Sequence, residues 1–304
     1  MIRAVLMSLA LAACATPAAS QSRAVEATSL DGRPLARPAL ADAFRAEQEA
    51  LLAQARAVEE PEHPEAMADA AVWIGRRLGY LGRYNEAIAA FEHGEARFPK
   101  DARFARHLGH RLISVRRFDD AVVALTRAET LMADRPDEIE PDGLPNTAST
   151  PLSTLKGNIA YHLGLAYYLR GDFAEAARTF QGAVALAANP DSAAAARYWL
   201  YLSLARAGDM DAANAALAPI RPDWRIIENH AYFWLTLCYG GQGPCERAAA
   251  DSETPESAAI AYGLAARALI EGHADEARAA MRAMLARDDW ASFGYIAAEA
   301  DLAR

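Results

Sequence analysis

From about residue 68 the apolar positions recur with helical spacing, and the pattern itself returns after 34 residues. Gly75, Tyr84 and Ala87 are followed at that interval by Gly109, Phe118 and Ala121, and Phe91 by Leu125. A further copy holds Leu163, Gly164, Tyr167, Phe173, Ala176, Phe180 and Ala183. A fourth turns at Gly208 with Ala213 and Leu217, and a last one turns at Gly272 with Ala277. Each copy predicts two helices joined by a short turn. One such pair cannot bury its own apolar face, so the copies must stack. Gly82, Gly171, Gly208 and Gly272 stand where the first helix of a pair has to end in a left-handed residue; the second copy has Arg116-Arg117 there instead. Asn85, Asp119, Asp211 and Asp275 share one register and are expected to cap second helices. Gly75, Gly109 and Gly164 are placed at helix crossings, with Ala87, Ala121, Ala176, Ala213 and Ala277 facing them. A leucine at Gly164 or Ala176 should therefore overpack by about 1–3 kcal/mol.

The residues Leu163-Gly164, Tyr167, Gly171-Asp172-Phe173, Ala176 and Phe180 make this chain resemble the tetratricopeptide repeat family over about residues 68–287. The resemblance implies an all-α, right-handed superhelical solenoid of five or six helix pairs with capping helices at both ends. Residues 38–60, rich in Ala, Leu, Glu and Gln and stopped by Pro61 and Pro64, are expected to form the N-terminal cap. The solenoid would occupy 61–304. Residues 226–249 would be a degenerate pair, and 290–303 would cover the last open face. The family resemblance also implies a non-catalytic role in protein binding, with the partner held on the concave side lined by first helices.

Ahead of the repeats, Met1-Ile2-Arg3 and an apolar run lead to Cys14. A cationic start and a short apolar stretch mark an export signal, too short for a permanent span. Leu11-Ala12-Ala13-Cys14 resembles the lipobox of bacterial lipoproteins, which implies cleavage after residue 13 and acylation of Cys14. Ala15 resembles the sorting position of outer-membrane lipoproteins, facing the periplasm. The other reading is cleavage near Ala18-Ala19-Ser20, giving a soluble periplasmic protein. Residues 14–37, polar with Gly and Pro, are expected to be a flexible tether.

The net charge of −9 argues against nucleic acid, whose binding relies on neutralising phosphates. In an exported protein Cys238 and Cys245 are expected to bridge, since the glycines between them let the chain fold back; two free thiols are the alternative. His107 and His110 share a helix face without the further acids or thiols that a metal site needs. No phosphate loop, dinucleotide fingerprint, nucleophile elbow or His-Glu-x-x-His is present. Neither an enzymatic activity nor a cofactor is expected.

Register assigns Arg76, Tyr80, Arg103, Arg106, His110, Asn158, Tyr161, Leu165, Tyr168 and Tyr198 to the concave side. A loop at about 133–154, acidic and carrying four prolines, interrupts the period. Two readings follow. Either Arg76, Arg103 and Arg106 receive a partner's carboxylate while the tyrosines hold apolar side chains, or Asp137, Glu138 or Glu140 folds back onto the arginines and the tyrosines are packing. Trp199, Trp224, Trp234 and Trp290, with Tyr201, Tyr232 and Phe233, are core or else a sugar platform. The competing function is therefore a lipoprotein that binds a small ligand or glycan. The resemblance to tetratricopeptide lipoproteins implies an envelope adaptor with membrane attachment and protein partners.

Overall fold

The computed structural model describes residues 23–58, 62–245 and 255–304; the export signal, Cys14 and residues 246–249 of the degenerate pair lie outside them. The fold is an all-α array of stacked helical hairpins. Helix α1 (Asp42–Arg56) leads into five pairs: α2 (Pro64–Tyr80) with α3 (Tyr84–Arg97), α4 (Ala102–Ser114) with α5 (Phe118–Met132), α6 (Leu155–Arg170) with α7 (Phe173–Leu186), α8 (Pro190–Arg206) with α9 (Met210–Leu217), and α11 (Pro255–Ile270) with α12 (Ala274–Met284). Helix α10 (His230–Tyr239) is a short helix packed on α8 and α11, and α13 (Phe293–Leu302) is the last of the described helices.

The 34-residue spacing has a direct steric origin. A Cβ on Gly75 would stand 2.3 Å from the Phe91 ring, one on Gly109 2.3 Å from Leu125, and one on Gly164 2.8 Å from Phe180. Each first helix thus carries glycine where the second helix presses its aromatic or leucine slot. The paired alanines Ala87, Ala121 and Ala176 are fully buried. Gly75→Ala is accordingly expected to destabilise by about 1–3 kcal/mol, because the added methyl would lie 2.3 Å from a buried Phe91 ring and force it to shift. Thermal melting checks it, and an unshifted transition would contradict the crossing.

The turns follow the glycine pattern except once. Gly82, Gly171, Gly208 and Gly272 are left-handed with φ of 69°, 90°, 89° and 88°, and Arg116 takes the same conformation at φ 68° despite its side chain. Capping differs from expectation. Asn85 and Asp211 lie inside the first turns of α3 and α9. Asn85 donates instead to the Glu26 carbonyl at 2.9 Å. Side-chain caps are supplied by Asp101, Thr154, Asn189 and Asp209.

The expected tether is not one where it is described. Val25–Thr28 (β1) and Pro34–Ala36 (β2) pair antiparallel, with Ala27 opposite Leu35. Ala27 and Leu35 are buried against Tyr84, Trp290 and Tyr295. Trp290 Nε1 donates to the Ala36 carbonyl at 2.8 Å. Two strands of four and three residues have too little apolar surface to stand alone, and the covering rings come from the far end of the chain.

That far end also closes the inner face. First helices neighbour one another along the array, and α13 packs on α6 as well as on α11 and α12. Its Tyr295, Ile296, Ala297 and Ala298 are fully buried, and Gly294 meets the Ala258 backbone, where a Cβ would lie 2.3 Å from the carbonyl oxygen. Glu299 accepts from Arg116 Nη2 at 2.6 Å and from the Leu30 backbone N–H. Arg116 also donates to the Trp290 carbonyl at 2.8 Å. Asp301 accepts from Arg206 at 2.9 Å and from Tyr262 at 2.8 Å. Helix α13 therefore joins the hairpin, the α4–α5 turn and α8 across the trough, instead of covering only the last pair. The Cys238–Cys245 bond is present, closing the turn after α10.

Candidate binding groove

The loop at 133–154 is stitched across the first helices, from the last turn of α2 to the start of α6. Ile139 bridges to Thr154, and Asp137 Oδ1 accepts from the Lys156 N–H at 2.9 Å. Arg77 donates to the Gly143 carbonyl at 3.1 Å, and Asn146 to Glu228 at 2.6 Å. From this strap Glu140 points inward, its side chain 7% exposed. Its Oε2 lies 3.0 Å from Arg106 Nε and accepts from Asn158 Nδ2 at 3.1 Å, while Oε1 lies 3.6 Å from His107 Nε2. A carboxylate from the chain itself thus neutralises Arg106.

The ten concave-side positions fall into four environments. Arg76, Tyr80, Arg106 and His110 line a cavity of about 110 Å³ beneath the strap, with Gly75, Gly79, Phe91, His107, Arg111 and Glu140. Arg103 lies outside it, its guanidinium taken by Asp101 and Asp69, and lines a groove of about 720 Å³ between the strap and the starts of α2 and α4. Lys100, Arg135, Phe98 and Ile139 share that groove; Ile139 is 66% exposed. Asn158 and Tyr161 line a third cavity, about 310 Å³, among the starts of α6, α8 and α10. Tyr168, Tyr198 and Leu165 are fully buried.

Tyr168 and Tyr198 are therefore core rather than groove residues. Tyr168 Oη and Tyr262 Oη lie 2.6 Å apart, and Tyr198 packs its ring on Tyr232 at 5.0 Å. Periodicity assigns them to the inner side, and residues of α10 and α11 pack over them. Burial pushes both phenols above their ordinary range. Of the late aromatics, Trp199 and Tyr201 are core beside them, and Trp290 seals the hairpin.

The floor of the third cavity is a ring cluster. Trp199 Nε1 donates to Tyr161 Oη at 2.9 Å, and Tyr161 donates to Tyr232 at 3.3 Å. His162 donates from Nδ1 to the Asn158 carbonyl at 2.7 Å and packs against His110, 4.4 Å between centroids with the rings tilted by 40°. Phe293 of α13 packs on both histidines. Arg111 repeats Arg77 at the 34-residue interval but sits one place off the face marked by Arg103, Arg106 and His110, and Phe293 arrives by tertiary packing.

His107, His110 and His162 are held neutral. Burial pushes each well below the usual imidazole range, and the guanidiniums of Arg106 and Arg111 add to it. Between the depressed folded value and about 6.5 the unfolded chain binds more protons, so stability falls as pH drops through that window. The expected loss at pH 5.5 is about 1.4 kcal/mol per histidine relative to pH 7.5. Urea unfolding at the two pH values checks it; equal midpoints would contradict neutral, buried imidazoles.

No family model matches this chain, and no curated protein does. Among solved structures it is similar to one described as MamA MSR-1 C2, with 18% identity over 58% of this chain and 88% of that one, at a TM-score of 0.39. A second, MamA AMB-1 P212121, shares 19% identity over 57% of this chain and 92% of that one, at 0.38. A third is YrrB, described as a TPR protein with an unusual peptide-binding site, with 15% identity over 74% of this chain and 89% of that one, at 0.41. These are likenesses in the arrangement of helices, and no residue role passes from them to this chain.

Proposed function

We propose that this chain is a non-catalytic protein-interaction module of the bacterial cell envelope, attached to a membrane through Cys14 and binding a partner at the rim of the array. The supporting observation is where open concavity remains. The trough is crossed by α13, whereas the groove of about 720 Å³ beside the strap stays accessible and combines Lys100, Arg103 and Arg135 with Phe98 and the exposed Ile139. An apolar centre with a charged edge suits a partner's extended segment.

The test is recovery of partners from solubilised envelopes with variants of equal stability. Arg103→Glu combined with Ile139→Asp should lower recovery at least about tenfold, a loss of about 1.4 kcal/mol. Val123→Asp, which changes a residue 63% exposed on the second-helix side, should leave it unchanged. Equal recovery from all three would sink the rim assignment. Cys14→Ser should release the protein from membranes, and unchanged fractionation would remove the anchor.

A second reading is favoured by the half-open cavity of about 310 Å³ with Tyr161, Tyr232 and Phe293 on its floor, which has the dimensions of a small-ligand site. Native mass spectrometry of gently purified protein separates the two: a stoichiometric small molecule supports a receptor.

A further inference from the structure

The cavity of about 110 Å³ behind Glu140 has an unusual charge inventory. Three guanidiniums line it, those of Arg76, Arg106 and Arg111, against one carboxylate, Glu140. Glu140 is already engaged by Arg106 and Asn158. Among the described residues no carboxylate lies within 4.0 Å of Arg76 or Arg111. Arg76 contacts the Tyr80 hydroxyl at 3.3 Å and the Trp73 ring face at 4.2 Å. Arg111 donates to His110 Nε2 and lies 5.4 Å from the centre of the Tyr84 ring. Neither contact balances a positive charge, and the histidines around them are neutral; Asp142 of the strap acts on Arg76 only through space, with no ion pair to it within 4.0 Å. In a chain of net charge −9, surplus positive charge lines this cavity, with Arg106 buried and Arg76 and Arg111 half-buried. Charges drawn even partly out of water are ordinarily paired, so a cluster with two unmatched guanidiniums favours an anion.

We propose that this cavity binds a small oxyanion, a short carboxylate or inorganic phosphate, gripped by Arg76 and Arg111 with the Tyr80 hydroxyl beside them. Size sets the class. A void of about 150 Å³ is enough for benzene, so this smaller one admits an anion of four or five heavy atoms and excludes a peptide. Geometry sets it too, because the planar guanidinium fork matches two oxygens on one centre and gains little from a halide. The wall is shaped for it. Gly75 and Gly79 bring the α2 backbone to the surface, and a Cβ on Gly79 would come within 3.1 Å of Arg111 Nη1. Glu140 limits the affinity, since its charge competes for Arg106 and repels a second anion. This site meets the rim groove only at Glu140, which lines both, and its test involves no protein partner.

Equilibrium dialysis of the purified full chain at pH 7.5 against labelled acetate, and separately labelled phosphate, reads the binding directly. The expected result is one saturable site per chain for at least one of the two, with a Kd below about 10 mM. The two arms tell a carboxylate from a phosphate. Arg111→Gln and Arg76→Gln should each weaken binding at least tenfold. Glu140→Gln should tighten it at least threefold, and Arg127→Gln, on the outer face, should leave it unchanged. If Arg111→Gln fails to fold, the Glu140→Gln and Arg76→Gln arms decide the matter. The proposal is overturned if neither anion saturates, if Arg76→Gln binds as the parent does, or if chloride displaces both at equal concentration.

Discussion

Deleting residues 293–304 is expected to unfold the protein instead of opening its groove. A helix that only covered the end of a stack would cost little, because the remaining pairs depend chiefly on their neighbours. Helix α13 is placed differently. It buries Tyr295, Ile296, Ala297 and Ala298 completely, and it supplies Glu299 to Arg116 and Asp301 to Arg206. Its loss would leave the Arg116 guanidinium, 3% exposed, without a counter-charge. Removing one partner of a buried pair costs about 3–5 kcal/mol, and whole domains are stable by only about 5–15 kcal/mol. The truncated chain should lose its cooperative thermal transition and the near-ultraviolet dichroism of its buried tyrosines. A truncated protein that melts cooperatively within about 5 °C of the parent would show α13 to be a peripheral cap.

Arg116→Gly is the second large effect, and its sign is the informative part. At φ 68° this turn would be relieved by glycine, the residue used in the same conformation at Gly82, Gly171, Gly208 and Gly272. Backbone preference alone predicts a gain of about 1 kcal/mol. The side chain argues the other way. Its guanidinium donates to Glu299, to the Ser114 carbonyl at 2.6 Å and to the Trp290 carbonyl at 2.8 Å, all in the interior. Leaving Glu299 buried and unpaired outweighs the backbone gain, so a net loss of about 2–4 kcal/mol is expected. Adding Glu299→Gln should recover part of it, because the amide carbonyl still accepts from the Leu30 N–H while the unpaired charge is gone. Denaturant unfolding of the two single variants and the double variant checks this. An Arg116→Gly protein more stable than the parent would refute the pairing as the reason for the strained turn.

The helical hairpins were legible because their cause is local and repeats. Glycine at a crossing and a ring or leucine 16 positions later, as with Gly75 and Phe91, recur at Gly109 and Leu125 and again at Gly164 and Phe180, where two helices must approach closely. The inner side of the first helices was legible for the same reason. Its occupancy was not. Arg106, Asn158 and Tyr161 stand at the inner side as the register demands, yet whether that side meets solvent depends on segments that follow no repeat. Glu140 reaches Arg106 from an insertion, and Phe293 reaches His110 from the last helix. The β hairpin was hidden for a related reason: Ala27 and Leu35 look like tether residues until Trp290 and Tyr295 cover them.

The amino-acid pattern alone determined the type of element, the pairing of neighbouring helices and the places where only glycine fits, since each rests on contacts between residues close along the chain. Tertiary structure decided which inner residues became core, which formed the basic cavity and where a rim stayed open. Those outcomes depend on contacts such as that between Glu299 and Arg116, 183 positions apart, where nothing periodic links the two partners before the array has curled far enough to bring them together.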